Sequence, residues 1–270
     1  MGRFPSETTK MTIVYRDEAY VAVDKPADMR IDGGRHDEKA DEANVAGLLR
    51  EAFPDVRFRH CHQLDYATSG CMLYALTKEA AGRAGKLFET RATIKEYLAL
   101  VRGVIAAGTS CDLPICQDPD HDFKMAIGAT YFEDKKRRKH SGHASTEVEV
   151  LASGTFRGET ITKVLLRPKT GRRHQLRLHC RALGHPVVGD ATYTDDVDSP
   201  RMMLHAYRLY LPFTHRPPLL LETPDPFRPG LLPDLVLRDD RTEVASSSTK
   251  DPRCCTTTTP PAFVTATTRG

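Results

Sequence analysis

Residues 62–76 read His62-Gln63-Leu64-Asp65-Tyr66-Ala67-Thr68-Ser69-Gly70-Cys71-Met72-Leu73-Tyr74-Ala75-Leu76: an aspartate among turn-forming residues, followed at once by an apolar run. Thr68 and Ser69 carry hydroxyls that bond local backbone, and Gly70 supplies conformational freedom, so the first nine residues read as a shaped loop. Cys71–Leu76 reads as a short strand. On its C-terminal side, Lys78–Arg91 is Ala-rich, with Ala80, Ala84, Leu87 and Phe88 roughly on one face, which predicts a helix. Thr93–Val101 returns to β-type residues and breaks at Gly103.

On the N-terminal side, Ile13–Val23 alternates and is β-rich, predicting a strand pair that stops at Lys25-Pro26. Asp28–Glu42 is polar and reads as a surface loop, and Val45–Phe53 has helical spacing ending before Pro54. Beyond Gly103, Ser110–Lys139 is irregular and carries the basic run Lys135–Lys139. Strands are expected over Ala144–Leu151 and Thr160–Arg167, separated by a turn region holding Gly154 and Gly158. Arg172–Leu183 is a helix candidate with Leu176, Cys180 and Leu183 at i, i+4 and i+7. A long β-like stretch, Arg201–Phe213, is followed by a Pro-rich segment closing near Leu237. From Asp239 the Ser- and Thr-rich composition cannot bury enough apolar surface to offset its ordering entropy. The expected organisation is an extension over 1–11, one catalytic domain over 12–238 and a disordered tail over 239–270.

The 270 residues carry 39 Lys+Arg against 36 Asp+Glu, with 40% hydrophobic and 28% charged residues. That is ordinary globular composition and excludes collagen-like and wholly disordered chains. No apolar run reaches the ~20 residues of a membrane helix, and the best, Tyr97–Ala107, is interrupted by Arg102. Met1–Lys10 lacks an apolar core and carries Glu7, so a secretory signal is not expected. The seven cysteines then read as reduced intracellular thiols, with the cytosol as the default compartment and the nucleus and mitochondrion left open.

Charge is unevenly placed. Arg157–Arg181 holds eight Lys/Arg and one acid, Glu159, a local +7. On a helix, Arg173, Arg177 and Arg181 share a face, which reads either as a solvated basic face or as contacts to phosphate. His174 and His179 are five apart and do not share a face as i, i+4 metal ligands do, so no metal site is expected.

Five segments in order then point further: His62–Gly70, Lys95-Glu96-Tyr97, Thr170-Gly171-Arg172-Arg173-His174-Gln175-Leu176-Arg177-Leu178-His179, Gly184-His185-Pro186-Val187-Val188-Gly189-Asp190 and Leu204-His205-Ala206. Together they resemble the RluA family of pseudouridine synthases, whose pattern is H-R-L-D-x-x-T-S-G, K-x-Y, T-G-R-T-H-Q-(I/L)-R-(V/L)-H, G-H-P-(I/V)-x-G-D and L-H-A. Asp24-Lys25-Pro26 looks like the family's early K-P element. The resemblance spans about residues 12–227. Two positions depart from the pattern, Gln63 for the loop arginine and Arg173 for a threonine. Gln63 resembles a eukaryotic branch of stand-alone RNA pseudouridylate synthase domain-containing proteins.

The resemblance implies an α+β fold, a mixed and mostly antiparallel sheet flanked by helices with a central catalytic cleft. It implies an enzyme that isomerises specific uridines in RNA to pseudouridine after flipping the base from its stack. Asp65 would be the catalytic aspartate, Arg177 the arginine that pairs with it and Tyr97 the tyrosine that stacks on the uracil. Gln63, Thr68, Lys25, Arg172 and Leu204 would contact or shape the substrate site. No nicotinamide, ATP or metal is implied, because the isomerisation changes no oxidation state. RNA is the expected partner, with no membrane and no obligatory protein partner, and the chain is expected to be a monomer. Two other readings stay open at this level: an RNA-binding module that has lost catalysis, supported by Gln63, and a metal-dependent hydrolase built on the histidines.

Overall fold

A computed structural model describes residues 11–33, 43–128 and 141–238. The expected extension (but for Met11), the Lys135–Lys139 run and the expected tail lie outside the described residues. The chain forms β1 (Thr12–Arg16), β2 (Tyr20–Lys25), α1 (Val45–Ala52), β3 (Arg59–His60), β4 (Ser69–Ala75), α2 (Lys78–Glu89), β5 (Ile94–Arg102), β6 (Ser110–Cys111), β7 (Ile115–Gln117), β8 (Met125–Ile127), β9 (Thr146–Phe156), β10 (Glu159–Pro168), α3 (Gln175–Ala182), β11 (Leu204–Leu211), β12 (Leu219–Glu222) and β13 (Leu235–Arg238).

The main sheet runs β1-β2-β4-β11-β5-β10-β9-β13, with β3, β12 and β6 added on β4, β11 and β9; β7 and β8 form a separate hairpin. Every pairing is antiparallel except β4 with β11. The α+β class and the mixed sheet of the sequence reading are what the fold has. No helix among the described residues is long and apolar enough to cross a membrane.

β4 is buried along its whole length because both faces of the sheet are covered, which is why it reads as an unbroken apolar run. Cys71, Leu73 and Ala75 pack toward Ala80 and Ala84 of α2, while Met72 and Tyr74 pack toward Val45 and Leu49 of α1. Both helices begin where side-chain caps sit: Asn44 accepts from the Gly47 N–H at 2.9 Å and Thr77 from the Ala80 N–H at 3.0 Å. On the other half of the sheet, Ala99, Val164 and Leu166 pack under Leu176 and Cys180 of α3.

Four expectations need correction. The helix expected from Arg172 starts at Gln175, because His174 is left-handed (φ 56°) and Thr170–His174 is a turn. Buried Gln175 organises that turn: its Oε1 accepts from Thr170 Oγ1 at 2.7 Å and from the Arg172 N–H at 3.0 Å. Gly154 is not in a turn but inside β9, where a Cβ would lie 1.9 Å from the Val236 carbonyl oxygen. The turn is Arg157-Gly158 alone, both at positive φ, as a two-residue hairpin of type I′ requires. The Pro-rich closing segment supplies β12 and β13, and the irregular stretch after Gly103 supplies β6 to β8.

The fourth correction concerns charge. Lys163 pairs with Asp225, Arg167 with Glu96 and Glu149, Lys169 with Glu147, and Arg177 with Asp190. Half of the eight bases are thus answered by acids from other segments. Arg173, Arg177 and Arg181 do not form one solvent face, since the Arg177 side chain is only 4% exposed.

Candidate active site

Sheet register brings the scattered motifs onto one line. Lys25 pairs with Gly70, Gly70 with Ala206, Ala206 with Tyr97, and Tyr97 with Leu166, on β2, β4, β11, β5 and β10 in turn. Gly70 (φ 109°) is where β4 and β11 come too close for a side chain: a Cβ there would sit 2.2 Å from the Ala206 carbonyl oxygen. Beside it Ser69 is locked to β11. His205 Nδ1 lies 2.7 Å from Ser69 Oγ and its Nε2 lies 2.9 Å from Thr223 Oγ1, while Arg201 Nη2 donates to Ser69 Oγ at 2.5 Å. Burial pushes the His205 imidazole down to about 3, so it works as a neutral bridge.

The 62–69 loop enters this line with Asp65 at its apex. The Thr68 N–H donates to the Asp65 carbonyl at 3.1 Å, closing the turn. From below, Lys25 Nζ donates to the carbonyls of Pro26, Met29 and Tyr66 at 2.9, 2.8 and 2.9 Å. Lys25 is 0% exposed and its three donors are spent on backbone, so the structure places it as scaffold beneath the loop and not on a substrate-facing surface. Thr68 is likewise buried, at 2%. Gln63 and Tyr66 are exposed.

The Asp65 side chain is 25% exposed, and α3 supplies its neighbours. Arg177 Nη1 lies 3.4 Å from Asp65 Oδ2, but its shorter contacts go to Asp190: Nε to Oδ2 at 2.8 Å and Nη2 to Oδ1 at 2.6 Å. Burial works to lower the Arg177 pKa, and the hydrogen-bonded Asp190 with Asp65 outweighs it and holds the guanidinium above its ordinary value. The same guanidinium lies over the Tyr193 ring at 4.9 Å. His174 Nε2 is 4.0 Å from Asp65 Oδ1, its Nδ1 is 2.6 Å from Tyr193 Oη, and burial pushes it down to about 4.

Tyr97 is half-buried on β5 and packs with Ala67 of the loop against the cluster that contains Leu204 and Leu176. Burial raises its phenol pKa, and the nearby Asp65 charge raises it further. Leu204 itself is 3% exposed, a packing residue behind Tyr97. Arg172 is exposed, its Nε donating to the His143 carbonyl at 3.2 Å. The structure therefore brings Asp65, Arg177 and Tyr97 together, sets Lys25, Thr68 and Leu204 behind them, and leaves Gln63 and Arg172 at the surface. Asp190, Tyr193 and His174 escaped sequence reasoning. Asp190 and His174 stand inside quoted motifs, but only folding shows what they face; Tyr193 has no local signal.

Of the histidines in the quoted motifs, His179 is bonded to Thr146 Oγ1 and the Leu113 carbonyl, both at 2.9 Å, and His185 to the Arg102 carbonyl at 2.8 Å. Among the described residues no group of three or more His, Cys, Asp or Glu could hold a metal.

Residues 19–182 match the family model described as RNA pseudouridylate synthase. The RNA pseudouridylate synthase domain-containing protein 1 of Danio rerio is 42% identical over 237 residues, 84% of this chain and 78% of that protein. The tRNA pseudouridine synthase C of Haemophilus ducreyi is 34% identical over 221 residues, 76% of this chain and 86% of that protein. Among solved structures, human RNA Pseudouridylate Synthase Domain Containing 1 superposes with a TM-score of 0.75 at 36% identity, covering 93% of this chain and all of that one.

Proposed function

The chain belongs to the RNA pseudouridylate synthase family and is an RNA uridine isomerase; from that premise we propose that Asp65 is the reacting group and that the uridine is flipped out of its stack to reach it. One observation carries this reading: the Asp65 carboxylate is partly exposed, 3.4 Å from a buried arginine and close enough to a half-buried tyrosine for its charge to act on the phenol, both from distant segments. Such a convergence of a carboxylate, its cation and an aromatic face is what a flipped base and its sugar require.

In the reaction the N1–C1′ bond of uridine breaks, the uracil turns, and C5 bonds to C1′ while the C5 proton leaves to solvent and N1, freed from the sugar, takes up a proton in its place. Atoms and electrons balance across the nucleoside and the proton exchanged with solvent, with no oxidant or reductant needed. Asp65 acts at the sugar, either by adding to C1′ or by taking the C2′ proton. Arg177, clamped by Asp190, holds the carboxylate in place. Tyr97 offers its ring to the uracil, a contact worth ~1–3 kcal/mol per base. Leu204 supports Tyr97 from behind. Thr68 and Lys25 shape the loop, Gln63 stands at the vacated place in the stack, and Arg172 meets a phosphate. The catalytic domain is residues 12–238, acting on RNA as a monomer in the cytosol; light scattering and cell fractionation test those two corollaries.

The main test is tritium release from RNA carrying 5-labelled uridine. Wild type releases tritium and Asp65→Ala does not, although both bind the RNA. Equal release from the two would remove Asp65 from the reaction.

A further inference from the structure

The reaction just described makes no use of His174, yet its placement is costly and specific. It stands at the N-terminus of α3 in the left-handed conformation (φ 56°, ψ 17°), which a non-glycine residue rarely adopts, and its side chain makes no capping bond. The imidazole is instead turned inward, 10% exposed, edge-on to the Tyr193 ring with centroids 5.6 Å apart. Strain of this kind persists where surrounding structure holds it, and it clusters at functional sites.

Its two nitrogens have distinct surroundings. Nδ1 is 2.6 Å from Tyr193 Oη, and that oxygen accepts the Met125 N–H at 2.9 Å. With one donor already directed at it, the hydroxyl gives its own proton to Nδ1, which leaves the imidazole proton on Nε2. Nε2 faces Asp65 Oδ1 at 4.0 Å, while Arg177 Nη1 faces Oδ2 at 3.4 Å. Tyr193 also lies beneath the Arg177 guanidinium, so one ring supports both groups that face the carboxylate. The 4.0 Å gap is wider than a hydrogen bond, and catalytic contacts of this length commonly tighten when substrate binds.

We propose that His174 is a positioning residue for Asp65: with its tautomer set by Tyr193, its Nε2–H fixes Oδ1 as Arg177 fixes Oδ2, so the carboxylate meets the sugar in one orientation. The inference rests on the assignment of Asp65 as the reacting group. It makes His174 a donor to a carboxylate and not a proton carrier, and it gives the left-handed backbone a purpose, since that turn aims the ring at the loop.

His174→Gly tests it, because glycine accepts the left-handed conformation and removes only the ring. Tritium release from 5-labelled uridine RNA should fall about 100-fold in kcat, the scale of a ~1 Å misplacement of a reacting group. RNA affinity should stay within about twofold, and added imidazole should restore about a tenth of the lost rate or more. His174→Asn, whose amide is also tolerated there and also donates, should fall between the two. Tyr193→Phe should lower kcat in the wild-type background and add nothing on His174→Gly, the signature of two residues acting as one unit. Asp65→Ala is measured alongside. Activity retained in Asp65→Ala overturns the assignment of Asp65 and this inference with it. Activity lost there but kept within about threefold in His174→Gly overturns this inference alone, as does a loss that imidazole does not relieve and that adds fully to Tyr193→Phe.

Discussion

Replacing Asp190 with asparagine should destabilise the protein and slow it, for one reason. Arg177 and Asp190 are 4% and 2% exposed and joined by two hydrogen bonds of 2.8 and 2.6 Å. Asparagine keeps the shape and one acceptor but removes the charge that answers the buried guanidinium. Breaking a buried pair from one side costs about 3–5 kcal/mol, because the remaining ion is left uncompensated, and the retained acceptor puts Asp190→Asn near 3. At about 2–4 °C per kcal/mol for a domain of this size, the melting midpoint should fall by about 6–12 °C. The guanidinium, freed on one side, then swings toward Asp65 and carries the carboxylate off its position. Tritium release measured at 25 °C, below the variant's midpoint, should fall about 100-fold for a shift of ~1 Å. Replacing both partners, Arg177→Leu with Asp190→Leu, should recover most of the stability and none of the activity. Calorimetry and tritium release on the three proteins give the answer. A midpoint for Asp190→Asn within about 2 °C of wild type would refute the argument that this pair is what holds Arg177.

Lys25→Met leaves the carbonyls of Pro26, Met29 and Tyr66 without their donor, a loss of about 3 kcal/mol or more. It should speed amide exchange across residues 63–68, and unchanged exchange there would show that Lys25 does not hold the loop. Gln63→Arg adds a cation at an exposed loop position, so the slope of log K for RNA against log salt should steepen by about 0.7; filter binding from 50 to 200 mM salt reads it, and an unaltered slope would place residue 63 away from the RNA. Acid should weaken the fold well before carboxylates titrate generally. Burial holds His62, His174 and His205 at about 4, 4 and 3, so the unfolded chain takes up protons that the folded one refuses as pH falls below ~6.5. From pH 7 to pH 5 each histidine removes about 2 kcal/mol, while Asp24, raised to about 6 by burial, returns about 1. Urea midpoints should therefore drop over that interval, and less so in His205→Gln; a flat profile would show that these imidazoles ionise within the fold.

Much of this was legible locally. The run Cys71–Leu76 and the Ala-rich helix after it depend on residues within one turn or one strand of each other, so periodicity and turn chemistry suffice to find them. Asp65, Tyr97 and Arg177 were singled out through the resemblance of motifs in order, and the sheet register then set Tyr97 across β11 from Gly70, in line with the start of β4 where the Asp65 loop ends. The limits of local reading show at Gly154 and Lys25. Nothing near Gly154 says that β13 will press on it, and nothing near Lys25 says that a loop 41 residues away will cap its ammonium.

Charge shows the same division. Counted along the chain, Arg157–Arg181 is a +7 stretch, but Lys163, Arg167, Lys169 and Arg177 are each met by an acid on another strand or loop. Periodicity and turn chemistry determined individual strands and helices, because those follow from short-range sterics, while the class of fold and the residues of the site were legible only as what the resemblance of the ordered motifs implies. Tertiary structure decided which charges remain open to RNA and which way the site's side chains face, because a Coulomb interaction depends on separation in space and on burial, and neither can be read from sequence distance.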